Sequence, residues 1–286
     1  MSIETAVTFQ CGADELIGIV HQPVGESAKT TGVLIVVGGP QYRVGSHRQF
    51  VQLARDSAAR GIPVMRFDYR GMGDSEGEQI SFEQTGPDIK AAIDTFTDYC
   101  PGVTRIVLWG LCDAASACLM YYALSDDRVK GMILLNPWVR TDAGIAKAHL
   151  KHYYTARFFE KGFWLKLLKL EFDYMDSWRS FIAQAKKSFS FNKESIPQAE
   201  SKKLPFQKKM ESGLLGFTGK ILFIISGNDL TASEFKDVVS SSKNWKKKIK
   251  DQNITWCDIK EADHTFSKKE WKEQVAELTI KWVRKL

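Results

Sequence analysis

Gly110-Leu111-Cys112-Asp113-Ala114 follows the apolar run Ile106-Val107-Leu108-Trp109 and precedes a helix-prone stretch from Ala115 to Leu124. A strand that enters a tight turn and leaves it as a helix lifts the residue at the apex clear of the sheet, where a nucleophile becomes accessible. The turn strains the apex backbone and crowds the positions two before and two after it, so both must be small. Gly110 and Ala114 meet that need, and the apex residue is Cys112. A cysteine beside an apolar run is also a common small buried hydrophobe. Its chemistry therefore depends on what stands elsewhere in the chain.

Two partners follow in the order nucleophile, acid, histidine. After the apolar run Ile221-Leu222-Phe223-Ile224-Ile225 comes Ser226-Gly227-Asn228-Asp229, which places an acid in a turn at a strand's carboxyl end. Ile254 to Ile259 has the pattern of a last strand, and Glu261-Ala262-Asp263-His264-Thr265-Phe266 follows it.

Alternation of strand and helix signals runs through most of the 286 residues. Ala6 to Gln10 and Leu16 to His21 predict an opening hairpin, turned at Gly12-Ala13-Asp14. Gly32-Val33-Leu34-Ile35-Val36-Val37 is a continuous apolar run of the kind buried on both faces of a parallel sheet. A helix is expected from about Arg48 to Arg60, a strand over Pro63 to Asp68, a helix over Glu83 to Tyr99 and a strand over Val129 to Leu135. The fold class is α/β: a mostly parallel twisted sheet with helices on both faces, its functional loops gathered at the carboxyl ends of the strands.

From about Asp142 to Phe217 the alternation stops. The segment reads as helices rich in aromatics and lysine, and residues 141–219 hold 14 Lys and Arg against 8 Asp and Glu, a surplus that matches the formal +6 of the whole chain. The expected organisation is a catalytic core over 1–140 and 218–286, with a helical lid over 141–217. Aromatic residues in such a lid line an apolar pocket or form its own core, and its lysines face water or an anionic substrate.

Composition excludes several classes. No run of about 18 apolar residues exists to span a bilayer, and Met1-Ser2-Ile3-Glu4-Thr5 lacks the basic-then-apolar pattern of a secretory signal. Cysteines at 11, 100, 112, 118 and 257 are odd in number and scattered, so reduced thiols and a cytoplasmic protein are expected. No G-x-x-x-x-G-K-S/T string occurs, and the modest positive charge alone does not indicate nucleic-acid binding. His149 and His152 lie three apart with no third ligand evident, so no metal and no cofactor is expected. Lys246-Lys247-Lys248 reads as a solvated helix face.

Phe67-Asp68-Tyr69-Arg70-Gly71-Met72-Gly73-Asp74-Ser75, the cysteine elbow, the Asp229 turn and Asp263-His264 together resemble the α/β-hydrolase superfamily over nearly the whole chain. Gly38-Gly39-Pro40-Gln41-Tyr42-Arg43-Val44-Gly45-Ser46-His47-Arg48-Gln49-Phe50 with the cysteine elbow is similar to the exosortase A system-associated hydrolases (type 1) of exopolysaccharide-producing bacteria. The resemblance implies a bacterial cytoplasmic hydrolase whose genes accompany polysaccharide export and a protein-sorting system; it supplies no substrate, and the thiol chemistry points to hydrolysis of an ester or thioester. Cys112 attacks a carbonyl as thiolate, His264 moves the proton, and Asp229 holds the imidazole. Asp263, adjacent to His264, cannot easily reach its ring Nδ1. One oxyanion donor is expected from the backbone N–H of Asp113 at the start of the elbow helix. The other comes from the loop after the strand at 32–37, where many relatives carry His-Gly and this chain has Gly38-Gly39. Pro40 has no N–H, which leaves Gly39 or Gln41, with Gln41 favoured. The Asp113 side chain opposes thiolate formation if it faces Cys112, and is expected to point away.

Arg43, His47 and Arg48 are candidates to bind a substrate carboxylate or phosphate at a helix N-terminus, although surface solvation accounts for them equally well. The same triad suits an acyltransferase acting on a polysaccharide precursor. A non-catalytic binding protein on the same fold is the alternative from another class.

Overall fold

The computed structural model describes residues 2–24, 30–39, 41–122, 126–140 and 205–286. Strands β1 (Ser2–Cys11) and β2 (Asp14–Pro23) pair antiparallel. They extend the expected hairpin at both ends and turn through Gly12, whose φ of +67° suits glycine. β3 (Thr31–Val36), β4 (Val64–Phe67), β5 (Arg105–Leu111), β6 (Val129–Leu135), β7 (Lys220–Ser226) and β8 (Ile254–Ile259) complete an eight-stranded sheet in the order β1-β2-β4-β3-β5-β6-β7-β8. β2 pairs antiparallel with β4, and every pair from β4 to β8 is parallel. Every residue of β3 and β4 is buried, as their apolar runs require of strands covered on both faces.

Two groups of helices cover the sheet. α1 (Gln49–Ala59) packs with α7 (Lys269–Val283), while α2 (Gly86–Tyr99), α3 (Asp113–Tyr121), α4 (Phe206–Gly216) and α6 (Lys243–Lys248) pack among themselves; α5 (Leu230–Ser241) follows β7. Lys246 and Lys247 lie exposed on α6, while Trp245 beside them is buried.

α4 corrects the expected boundary of the insertion at 217. It buries Met210 and Leu214 and lies so close to α3 that a Cβ at Gly213 would collide with the Leu119 carbonyl. Its lysines continue the basic composition of the segment before it, which hid an amphipathic helix belonging to the core. The chain divides into one unit of Met1–Val139 with Pro205–Leu286 and another of Arg140–Leu204. Of the helical lid expected over 141–217, residues 141–204, His149 and His152 among them, lie outside the described residues.

β3 is flanked by β4 on one side and β5 on the other. The chain therefore leaves the carboxyl ends of β3 and β5 in opposite directions, and the crevice between two such departures is where doubly wound sheets place their sites. Gly38-Gly39 and Cys112 stand there.

Candidate active site

Cys112 sits between β5 and α3 with φ +64° and ψ −126°, a region that costs a non-glycine residue of order 1–3 kcal/mol and persists only when its surroundings over-determine it. The surroundings do so. Cys112 N–H donates to the Leu135 carbonyl at 2.9 Å, and the Cys112 carbonyl accepts from Trp138 N–H and Ala115 N–H at 3.1 Å each. A Cβ at Gly110 would come within 2.7 Å of the Ala114 backbone, which explains the small residue before the apex. Cys112 is half-buried, whereas Cys11, Cys100 and Cys118 are buried.

Asp229 follows β7 directly and caps α5, its Oδ1 accepting from Thr231 N–H at 3.2 Å and its Oδ2 from Ala232 N–H at 3.0 Å. The same Oδ2 lies 2.8 Å from His264 Nδ1. Burial works against this carboxylate's ionisation, but His264 and the two N–H groups outweigh it, and its pKa falls below the usual value. His264 is pushed up to about 10 by its hydrogen bond to Asp229 and then by that to Cys112, against the effect of burial. One ring thus joins the elbow to the β7 turn. Asp263 is occupied elsewhere: its carboxylate accepts from Ser267 N–H and Ser267 Oγ–H.

A second set of residues, not anticipated from the sequence, holds the histidine loop. Asn136 is fully buried, with φ +42° at the carboxyl end of β6. Its Nδ2 donates to Ser226 Oγ at 2.8 Å and to the His264 carbonyl at 3.0 Å, and its Oδ1 accepts from Ser226 N–H at 2.8 Å. Ser226 Oγ in turn donates to the Asp263 carbonyl at 2.8 Å. The strand-end segment Leu135 to Trp138 therefore grips the elbow through backbone and the histidine loop through Asn136. A polar residue directly after a buried parallel strand was the available signal.

Gly39 is not left free to meet a substrate. Its N–H donates to Asp113 Oδ2 at 2.9 Å, while Asp113 Oδ1 accepts from Ala114 N–H at 2.9 Å. The expectation of Gly39 as an oxyanion donor is corrected to that extent: a carboxylate at a helix N-terminus is the nearest acceptor, and it takes the donor. Burial raises the Asp113 pKa, opposed by those N–H groups, and the buried Tyr69 is pushed up to about 12 by burial and by the Asp113 charge. The Gln41 side chain accepts from Ser46 N–H at 3.1 Å and shapes the loop.

Arg43 is also corrected as a substrate ligand. Its guanidinium is bound to Asp68 and, at 2.6 Å, to Asp74, and its backbone N–H donates to Asp68 as well. Asp68 is fully buried, so Arg43 neutralises a core carboxylate. Its sequence neighbours differ from it. His47 and Arg48 are exposed, with φ of +50° and +59°, and His47 Nδ1 lies 2.9 Å from Ser46 Oγ. Among the described residues no cluster of three His, Cys, Asp or Glu could hold a metal ion, and no described helix is long and apolar enough to cross a membrane.

The sequence profile of the family described as serine aminopeptidase, S33, matches residues 29–264. The chain belongs to that family. This S33-family chain shares its fold with esterase Est1E from Butyrivibrio proteoclasticus, solved with bound ferulic acid (19% identity, 98% of each chain, TM-score 0.62). It also resembles esterase Pf2001 from Pyrococcus furiosus (16% identity, 99% of this chain and 94% of that one, TM-score 0.60). A third likeness is to an alpha-beta serine hydrolase homologue from Coxiella burnetii (15% identity, 97% and 96%, TM-score 0.56). None of the curated proteins searched matches the chain. The fold is that of the α/β-hydrolases, and the family is one of hydrolases. Its description names a serine, where the elbow here presents Cys112.

Proposed function

We propose that this S33-family hydrolase cleaves an ester or thioester through Cys112, His264 and Asp229, by way of an acyl-thioester on Cys112. The observation that carries this is the His264 ring, joined to Asp229 at 2.8 Å and to the Cys112 side chain on its other flank. A cationic ring beside the sulfur is the setting in which a cysteine acts as a nucleophile. Sγ attacks the carbonyl carbon, His264 gives its proton to the leaving group, and the neutral ring then activates the water that releases the acid. The N–H of Asp113 and a donor from the Gln41 loop meet the oxyanion.

The substrate is a small acyl ester or thioester, and the reaction is set in the cytoplasm. The likeness of Gly38 to Phe50 to the exosortase A-associated hydrolases supports a role beside exopolysaccharide export.

The test is iodoacetamide labelling against pH, read by mass spectrometry, with the half-buried Cys257 as internal control in wild type and His264→Ala. Selective labelling of Cys112, titrating well below the free-thiol value of about 8.5 and lost without His264, supports the assignment. Turnover of an acyl substrate by Cys112→Ala sinks it.

A further inference from the structure

The N–H groups beside the nucleophile are already held by an anion, and that anion belongs to the chain. Asp113 accepts from Gly39 N–H and Ala114 N–H, and the loop is shaped around its carboxylate. A Cβ at Gly38 would collide with Asp113 Oδ1 and come 2.8 Å from Ala114 N. The cation beside Asp113 is the His264 imidazolium, which Asp229 and Cys112 already share. Arg43, on the same loop, is committed to Asp68 and Asp74. This cluster sets two carboxylates against one imidazolium.

Resting on the Cys112 chemistry above, we propose that Asp113 is the specificity-determining residue of the site. It is a charge filter that selects esters and thioesters bearing an ammonium group on the acyl chain near the scissile carbonyl, and turns away those bearing a carboxylate there. An ammonium group pairs with the Asp113 carboxylate and draws it off Gly39, whose N–H then passes to the carbonyl oxygen. In the acylation step the Cys112 Sγ–C bond forms, the bond from carbon to the leaving sulfur or oxygen breaks, and His264 gives its proton to the leaving group. An anionic acyl chain meets a like charge in a partly desolvated site and leaves Gly39 N–H where it is.

The experiment measures acylation of Cys112 in the full chain by the β-alanyl, butyryl and succinyl thioesters of N-acetylcysteamine. Each rate is divided by that of uncatalysed exchange with N-acetylcysteine. Wild type should favour β-alanyl over succinyl by about 30-fold, with butyryl between them. In Asp113→Asn and Asp113→Ser the spread should shrink to within about 3-fold, and in Asp113→Ser, whose shorter side chain withdraws the acceptor, the butyryl rate should rise as Gly39 N–H is released. Wild type without this order, or either folded variant keeping it, overturns the filter. Labelling with iodoacetamide separates the two levels: a Cys112 reactive to it and acylated without charge preference removes only the filter, whereas a Cys112 inert to every reagent removes the nucleophile and the filter together.

Discussion

Asp229 performs two tasks with one carboxylate, and substitution by Asn separates them. It caps α5 through Thr231 N–H and Ala232 N–H, and its Oδ2 lies 2.8 Å from His264 Nδ1. Asn caps helices about as well as Asp, so above the pH at which His264 loses its proton Asp229→Asn should change stability by less than about 0.5 kcal/mol, whereas Asp229→Ala loses the cap at about 1 kcal/mol. For a chain of this size that is a fall in Tm of roughly 2–4 °C. The histidine responds differently. A hydrogen bond to a charged group contributes about 1.5–3 kcal/mol, which at 1.36 kcal/mol per pKa unit lowers His264 by roughly one to two units in both variants. From the present value of about 10, it should titrate near 8 or 9 by NMR of the imidazole ring. The sign follows from linkage: a base whose pKa is raised on folding stabilises fully below 6.5 and loses that contribution as pH rises through its folded value. The alkaline limit of stability should therefore move down in both variants. A His264 that titrates in Asp229→Asn as it does in wild type would falsify the acid's role, and equal melting losses in the two variants would refute the division between capping and orientation.

Arg43→Ala should destabilise the protein by about 3 kcal/mol in urea melts, because it leaves the fully buried Asp68 without its guanidinium. A large rise in KM at unchanged stability would return Arg43 to substrate binding. Asn136→Ala should cost about 1–3 kcal/mol by stranding the Ser226 N–H, and should lower kcat more than it raises KM, because the His264 carbonyl loses its tether; a change confined to KM would refute the positioning role. His21 is fully buried with its pKa lowered to about 4, by burial and then by the Arg66 charge. A base depressed on folding must lose stability as pH falls from 6.5 to 4, by up to about 3 kcal/mol. His21→Gln should flatten that dependence in urea titrations at the two pH values, and an unchanged slope removes His21 as its source.

Legibility in the sequence followed the range of the force involved. The elbow was readable because its constraint is local sterics: Gly110 and Ala114 stand within one turn of Cys112, and the collision that a larger side chain would meet involves atoms of that same turn. β6 matches its predicted limits for a similar reason, since a run buried on both faces declares itself residue by residue. Asp229 and His264 were legible because a parallel sheet delivers its strand ends to one edge, so a residue's place after a strand already determines its neighbourhood. Hydrogen-bond partners were not legible. Gly39 finds Asp113 across 74 positions and Arg43 finds Asp68 across 25. In both cases the choice went to a carboxylate distant in sequence, which composition could not place. Sequence pattern assigned Arg43 to a substrate because an arginine in a loop after a strand looks available. Availability is decided by what else is buried beside it, and here that is a carboxylate with no access to water. The same rule explains the two roles of Asp113. Its backbone position follows from the elbow and was read correctly as the start of α3, while its side chain answers to the loop from β3 and reverses the expected state of the Gly39 donor.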